Sequence, residues 1–228
     1  MIVGASSGIG LHLTRTLIDQ GHEVIALSRT LGELPSHERL QHHTYDVSNP
    51  QTPDLDLSRL DGLVYCPGSI NLKPFHRLKR ADFQADLDIN LLGAVEVLQW
   101  ALPWLKKAGS ASVVLFSTVA VAQGMGFHSS IAAAKGAIEG LTRSLAAEWA
   151  PKIRINCIAP SIVDTPLAGK LLSTPEKVEA SAKRHPLGTV GAPDVIAYLA
   201  SFLLSDDSKW TTGQILHADG GMSSIKMM

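Results

Sequence analysis

The sequence predicts an α/β fold in which helices flank a doubly wound parallel β-sheet. The first indication is that apolar stretches of strand length alternate with longer stretches of helical pattern. The second is that the strand candidates are continuously apolar, as expected when helices cover both faces of a sheet. The third is a glycine-rich loop between a short first strand, residues 1–3, and a helix. The other strand candidates are residues 24–27, 62–66, 112–116 and 153–158, and the helical patterns are residues 11–20, 81–107, 130–149 and 194–204.

Composition excludes several classes of function. The 228 residues are 45% hydrophobic and 18% charged, which is typical of one globular domain spanning residues 1–228. A formal net charge of -1 gives no basic field for nucleic acid or an anionic membrane, and no leader or membrane-spanning stretch is recognisable. Cys66 and Cys157 are too far apart for a disulfide framework, and only His42 and His43 are adjacent histidines. We expect a cytoplasmic protein without a nucleic-acid partner, a membrane segment or a metal site.

The loop after the first strand has the pattern of a phosphate-binding turn. It reads Gly4-Ala5-Ser6-Ser7-Gly8-Ile9-Gly10 and directly precedes a helical pattern. Small residues allow a tight turn and the close approach of a pyrophosphate, whose charge the following helix N-terminus stabilises. Strand, loop and helix occur in the order that a dinucleotide site requires. The predicted cofactor-binding residues of this loop are Gly4, Ser6, Ser7, Gly8, Ile9 and Gly10.

The residues after the second strand indicate which dinucleotide is preferred. An acidic residue there binds the ribose 2′-hydroxyl of NAD, whereas an arginine accommodates the 2′-phosphate of NADP. The chain reads Ala26-Leu27-Ser28-Arg29-Thr30, with an arginine and no carboxylate. Ser28 and Arg29 are therefore predicted cofactor residues, and NADP is favoured over NAD. The alternative is that Arg29 is a solvated loop residue.

Further motifs follow the glycine loop in a recognisable order. They are Asp46-Val47, Asp88-Ile89-Asn90, Ser129 to Lys135, the segment from Asn156 to Thr165, and Thr212 to Gly221. Together with the loop, whose Val3 stands where threonine is usual, they resemble the short-chain dehydrogenase/reductase family over essentially the whole chain. The resemblance implies a Rossmann-type single domain, a substrate lid at about residues 165–190, and an NAD(P)-dependent oxidoreductase for a small molecule. It also implies a homo-oligomer, a tetramer or a dimer, formed through the helices at 81–107 and 130–149.

The same resemblance implies the rest of the cofactor site. The aspartate after the third strand would contact the adenine, and the segment after the sixth would lie along the nicotinamide. The loop Tyr65-Cys66-Pro67-Gly68 stands where the family has Asn-Asn-Ala-Gly, so that only the glycine is retained. Ser161 replaces another family glycine. The cofactor-binding residues implied in these segments are Asp46, Val47, Gly68, Pro160, Ile162 and Thr165.

The catalytic motif of the family is incomplete in this chain. In the family, a tyrosine protonates the substrate, and a neighbouring lysine lowers the pKa of that tyrosine from about 10. A serine orients the carbonyl, and an asparagine holds a water relay. By resemblance, Lys135 matches the lysine, Asn90 the asparagine and Thr118 the serine. Ile131, four residues before Lys135, stands at the tyrosine position and has no acidic proton.

Three explanations for Ile131 are open. In the first, His128 supplies the proton, since it lies seven residues before Lys135, as in the Tyr-x₆-Lys spacing of enoyl-acyl-carrier-protein reductases, and imidazole exchanges protons near neutral pH. His128 could instead be a loop or capping residue. In the second, Thr118 and Lys135 stabilise an enolate, as in dienoyl-CoA reductases with Ser-x-x-x-Lys. In the third, the chain is a catalytically silent NADP-binding protein, a sensor or oligomer partner. The favoured function is NADP-dependent reduction of a carbonyl or activated alkene in a small or medium-sized apolar substrate.

Overall fold

The computed structural model describes residues 1–226 and confirms the predicted fold class. Seven strands form one parallel sheet in the order β3-β2-β1-β4-β5-β6-β7, so the direction of winding reverses between β1 and β4. Both residues of the short β1 are buried between its two neighbours. The strands are β1 (Ile2–Val3), β2 (Val24–Ser28), β3 (Leu40–Thr44), β4 (Gly62–Tyr65), β5 (Ala111–Phe116), β6 (Ile153–Pro160) and β7 (Ile215–Ala218).

Helices cover both faces of this sheet. The helices of residues 1–226 are α1 (Gly8–Asp19), α2 (Arg80–Leu87), α3 (Gly93–Lys107), α4 (Val119–Gln123), α5 (Ser129–Trp149), α6 (Pro175–Ala182) and α7 (Pro193–Leu204), with short 3₁₀ turns at Phe75–Arg77, Pro166–Ala168 and Asp206–Ser208. Helices α1 and α7 pack together on one face, and α3 and α5 cover the other. Two apolar cores result, one on each face. No helix within the described residues is both long and apolar enough to span a membrane.

The apolar strands and amphipathic helices lie within a few residues of their predicted positions. The two edge strands, β3 (Leu40–Thr44) and β7 (Ile215–Ala218), were not among the apolar strand candidates, and their residues are only partly buried or exposed. An edge strand contacts one neighbour and needs no continuous apolar pattern. The segment at 165–190, expected to be a lid, consists of the 3₁₀ turn Pro166–Ala168 and helix α6, both on the carboxyl side of β6.

The predicted helix 81–107 is interrupted by one widened, π-type turn at Asp88–Leu92 between α2 and α3. Tyr65, a buried residue at the end of β4, donates a hydrogen bond from its hydroxyl to the carbonyl oxygen of Ile89 in this turn, at 2.6 Å. A Cβ on Gly93 would lie 2.5 Å from the same hydroxyl, so glycine is required where the phenol approaches the helix. Such turns are frequent at functional sites because they redirect one side chain. Here the redirected residue is Asn90.

Candidate active site

The carboxyl ends of four neighbouring strands meet at the point where the sheet reverses its winding. In open α/β sheets, ligands bind in the crevice at this edge. The glycine loop follows β1, and the Cys66–Gly68 loop follows β4. The Ser117–Thr118 pair follows β5, and the segment toward Thr165 follows β6. The structure therefore brings the predicted nicotinamide-side and catalytic residues to one edge.

The glycine loop has the geometry of a phosphate cradle. Gly4 and Gly8 have φ values of +79° and +53°, in the left-handed region that glycine tolerates best. A Cβ on Gly10 would lie 2.2 Å from the carbonyl oxygen of Gly4, so this position excludes any side chain. Ser7 is the N-cap of α1, but its side chain makes no capping hydrogen bond, and the first turn contains no acidic residue. The first amides of α1 thus remain available to an anion, as a bound pyrophosphate would require.

The loop also contacts the segments expected to complete the cofactor site. A Cβ on Gly8 would lie 3.2 Å from Cγ2 of Thr165, which places that residue directly over the loop. The backbone carbonyl of Ser6 faces the turn after β2 and accepts a long hydrogen bond from the Glu33 amide at 3.5 Å. Ile9 reaches into the adjacent pocket. These observations fit an extended dinucleotide that runs from the β2 side of the edge to the β6 side.

The residues expected at the adenosine end of the cofactor site differ in whether their side chains are already bonded within the protein. Arg29 is exposed and forms no ion pair within residues 1–226. The hydroxyl of the buried Ser28 donates a hydrogen bond to the carbonyl oxygen of Thr30 at 2.8 Å, and its Oγ lies 3.0 Å from Nε2 of His42, so this side chain is already bonded within the protein. Asp46 accepts a hydrogen bond from the Ser48 amide at 2.9 Å. Val47 follows it and packs against the apolar core on the α3 and α5 face.

Beside the glycine loop lies a mostly apolar pocket of about 300 Å³. Its walls come from the loops after β4, β5 and β6, from the start of α5 and from the lid segment. Among the residues predicted from the sequence, it is lined by Ile9, Gly68, Thr118, His128, Ile131, Lys135, Pro160, Ile162 and Thr165. Ser69, Arg184 and Met222 also line it, although no sequence motif distinguishes them. No metal-ligand cluster of histidine, cysteine or carboxylate side chains occurs in the described part of the chain.

Lys135 is the buried cation of this pocket. Its side chain extends from α5 and Nζ donates a 2.9 Å hydrogen bond to the carbonyl oxygen of Phe116 at the end of β5. Burial lowers the pKa of Lys135 to about 8, and the carboxylate of Asp86 opposes that shift. Burial also raises the pKa of both Cys66 and Cys157 to about 12, so these nearby thiols carry no charge at neutral pH. Among the described residues, Asp86 is the carboxylate that acts on Lys135.

Asn90 belongs to a buried polar network next to this lysine. Its Nδ2 donates to Ser69 Oγ and to the carbonyl oxygen of Asp86, both at 2.8 Å. Ser69 in turn donates to Oδ1 of Asp86 at 2.6 Å. Asn90 Oδ1 faces Gly68, 3.4 Å from the position of a Cβ there, and Lys135 Nζ lies 3.6 Å from the same position. The Asn90 amide and the Lys135 ammonium group therefore both lie beside Gly68. Ser69 and Asp86 were missed because a single serine and a single aspartate have no distinctive spacing.

The two hydroxyl residues after β5 face different surroundings. Thr118 lines the pocket and caps α4, where its Oγ1 accepts a hydrogen bond from the Ala120 amide at 3.3 Å. Ser117 is buried and donates to Glu139 Oε1 at 2.7 Å, so its hydroxyl is used within the protein. The Thr118 hydroxyl keeps its own proton for a molecule in the pocket. This is the hydroxyl that the sequence pattern selected.

Ile131 and His128 occupy neighbouring parts of the pocket wall. Ile131 is 5% exposed on α5, one turn before Lys135. His128 precedes the helix, its side chain makes no capping hydrogen bond, and its Nδ1 lies 2.7 Å from the carbonyl oxygen of Gly126. Because a carbonyl oxygen only accepts, Nδ1 carries a proton in this arrangement. Phe127, just before it, has a φ of +68°, a strained value for an aromatic residue.

Comparisons with known proteins agree with this architecture. A family model described as enoyl-(acyl carrier protein) reductase matches residues 4–223. The 3-oxoacyl-[acyl-carrier-protein] reductase of Thermotoga maritima is 32% identical over 97% of this chain and 96% of its own length. A crystal structure of a short-chain dehydrogenase/reductase, glucose/ribitol dehydrogenase, from Brucella melitensis has a TM-score of 0.87 at 27% identity, covering 100% of this chain and 96% of that one. The structure of ElxO with bound NADP has a TM-score of 0.87 at 26% identity, covering 98% of each chain.

Proposed function

Because the chain belongs to the short-chain dehydrogenase/reductase family, and is an oxidoreductase of that family, we propose that it uses NADPH to reduce a carbonyl or an activated alkene in a small or medium-sized apolar substrate. The observation that carries this proposal is the shared wall between the phosphate cradle and the apolar pocket. Ile9 and Thr165 contribute to both, and Lys135 and Thr118 lie in the same pocket. A hydride donor held by the cradle would therefore meet a substrate beside a buried cation.

Each candidate catalytic residue has a proposed task. NADPH, when bound, supplies the hydride. Lys135 binds the ribose hydroxyls next to the nicotinamide and stabilises negative charge that develops on the substrate. Thr118 donates its hydroxyl proton in a hydrogen bond to the substrate oxygen, and Asn90 holds a water relay that leads toward Lys135. His128 is the proposed proton donor in place of the missing phenol.

The proposed function is tested by NADPH consumption with a panel of ketones and enoyl thioesters. Turnover that requires Lys135, measured against Lys135→Met, supports a reductase, and the preferred half of the panel distinguishes carbonyl from alkene reduction. Tight NADPH binding without any Lys135-dependent turnover contradicts it and favours a silent NADP-binding protein.

We also infer a homo-oligomer, dimer or tetramer, formed through the α2–α3 segment and α5. Analytical ultracentrifugation would detect it.

Replacing Arg29 with glutamine is expected to raise the KM for NADPH about 10- to 100-fold, because a charge-assisted contact to the 2′-phosphate is lost. The KM for NADH should change little. Arg39→Gln is the matched control, since Arg39 directly precedes β3 and lies at the opposite, amino-terminal edge of the sheet. Steady-state kinetics with both cofactors make the comparison. An equal rise in the KM for NADPH and for NADH would show that Arg29 does not recognise the 2′-phosphate.

Replacing His128 with glutamine is expected to lower kcat about 10²- to 10⁴-fold, the usual contribution of a general acid, while the dissociation constant for NADPH stays unchanged. Glutamine has a similar reach but does not exchange a proton. Fluorescence titration of NADPH gives the affinity, and single-turnover kinetics give the chemical step. Full activity of the variant would remove His128 from the mechanism.

A further inference from the structure

The lid end of the pocket contains a linked set of polar side chains to which the proposed reduction assigns no task. His185, three residues after α6, is 4% exposed. Its Nδ1 lies 2.8 Å from the carbonyl oxygen of Ser181, and its Nε2 lies 2.8 Å from Oγ of Ser161. Ser161, Ser181 and Arg184 all line the pocket. A buried imidazole thus supports a hydroxyl that faces the substrate space.

The direction of these hydrogen bonds depends on the charge of His185. A carbonyl oxygen only accepts, so Nδ1 donates its proton to Ser181 in either state. In the neutral ring, Nε2 accepts the hydroxyl proton of Ser161. In the imidazolium, Nε2 donates to Ser161, whose hydroxyl proton is then free for a bound molecule. Sδ of Met222, 3.3 Å from Ser161 Oγ, is the weak acceptor that such a molecule would replace.

The electrostatic environment of the lid end favours an anion. Arg184 makes one side-chain hydrogen bond, from Nη2 to Ser181 Oγ at 3.3 Å, and has no ion-pair partner within the described residues. Of the residues in the described chain that line the pocket, none is an aspartate or glutamate, whereas Lys135 and Arg184 are cations. A negatively charged group in this pocket would meet two positive charges and no repulsion from a lining carboxylate.

Other charged groups near His185 are already engaged. Lys183, on the same segment, pairs with Glu179 at 2.6 Å. Gly220 packs against the ring of His185, and the neighbouring Asp219 accepts hydrogen bonds from two backbone amides of its own loop. Strand β6 contributes no charge next to Ser161, because its last residues are apolar. Arg184 is therefore the cation available to a ligand at this end.

We propose that Arg184, Ser161 and His185 form a carboxylate subsite for the substrate. Arg184 supplies the charge, Ser161 donates its hydroxyl proton, and His185 holds the Ser161 hydroxyl in place. The substrate class is accordingly an apolar ketone or enone that carries a carboxylate away from the reacting carbon. The proposed function underlies only the statement that this carboxylate belongs to the substrate.

The subsite is tested by calorimetric titration of the NADP-saturated protein with cyclohexanecarboxylate and 4-phenylbutyrate, each compared with its neutral amide. The carboxylates should bind about 10- to 100-fold more tightly than the amides, the range expected for charge-assisted hydrogen bonds. Arg184→Gln should remove the advantage, and His185→Gln should reduce it. Lys183→Gln, the control, should change neither.

Equal binding of acids and amides, absence of carboxylate binding, or equal weakening of both by Arg184→Gln overturns the subsite. Because binding is measured without turnover, the two proposals can fail separately. Reduction of neutral ketones without any preference for oxo acids would support the proposed reductase function and contradict the carboxylate subsite. If carboxylate binding depends on Arg184 but the protein reduces no ketone or enone, the result would support the subsite and contradict the proposed function.

Discussion

In the His128→Gln background, the Ile131→Tyr substitution is expected to raise the rate of ketone reduction about 10²- to 10⁴-fold, the usual contribution of a general acid. Ile131 lines the pocket one helical turn before Lys135, so a phenol there would share the helix face of the buried ammonium group. That cation would lower the pKa of the new phenol and favour proton transfer. Single-turnover reduction at saturating NADPH is the appropriate measurement, because it isolates the chemical step from product release.

Ile131→Phe is the matched control, because it adds the same ring without the hydroxyl. If the phenylalanine variant loses activity and the tyrosine variant gains it, the hydroxyl is responsible. If both variants behave alike, the substrate carbonyl does not lie next to position 131. In combination with His128→Gln, the tyrosine should restore the lost activity, because one acid would replace the other.

Lys135→Met is expected to abolish turnover and to weaken NADPH binding. The same substitution should raise the free energy of unfolding of the cofactor-free protein. The pKa of Lys135 is lowered from 10.5 to about 8, which corresponds to a cost of about 3 kcal/mol for keeping the ammonium group buried and charged. Methionine has a similar length and no charge. Loss of the hydrogen bond to the Phe116 carbonyl would offset about 1 kcal/mol, which leaves a net gain of about 2 kcal/mol at pH 7.

The pH dependence of stability provides a second readout. Between about pH 8 and pH 10.5 the unfolded chain keeps the lysine proton that the folded chain has lost, so wild-type stability should rise with pH across this window. Below about pH 8 Lys135 is protonated in both the folded and the unfolded chain, so the full cost of burying its charge lowers the free energy of unfolding of the wild type. Urea denaturation at several pH values should therefore show the advantage of Lys135→Met shrinking above pH 8. A variant less stable than the wild type at pH 7 would contradict the assigned burial cost.

The sequence was sufficient for the central strands, the longer helices and the cradle because these features depend on local patterns. Continuous apolar runs specify covered strands wherever they occur, and the glycines of the first loop are required by backbone geometry within seven residues. The edge strand β3 and the widened turn at Asp88–Leu92 left no such pattern. The turn coincides with a contact from the hydroxyl of Tyr65, on a separate strand, to the helix backbone.

The sequence alone thus determined the family, the fold class and the doubt about Ile131, since each follows from residues close together in the chain. Only the tertiary structure decided which distant side chains meet. Ser69 contacts Asp86 and Asn90 because the loop after β4 lies against α2 and the turn that follows it. The Ser161 hydroxyl meets His185 because the lid segment returns over the end of β6. Such contacts depend on how strands and helices pack, and packing carries no signature in residue spacing. The sequence therefore singled out Ile131 and His128, and the fold added the buried His185.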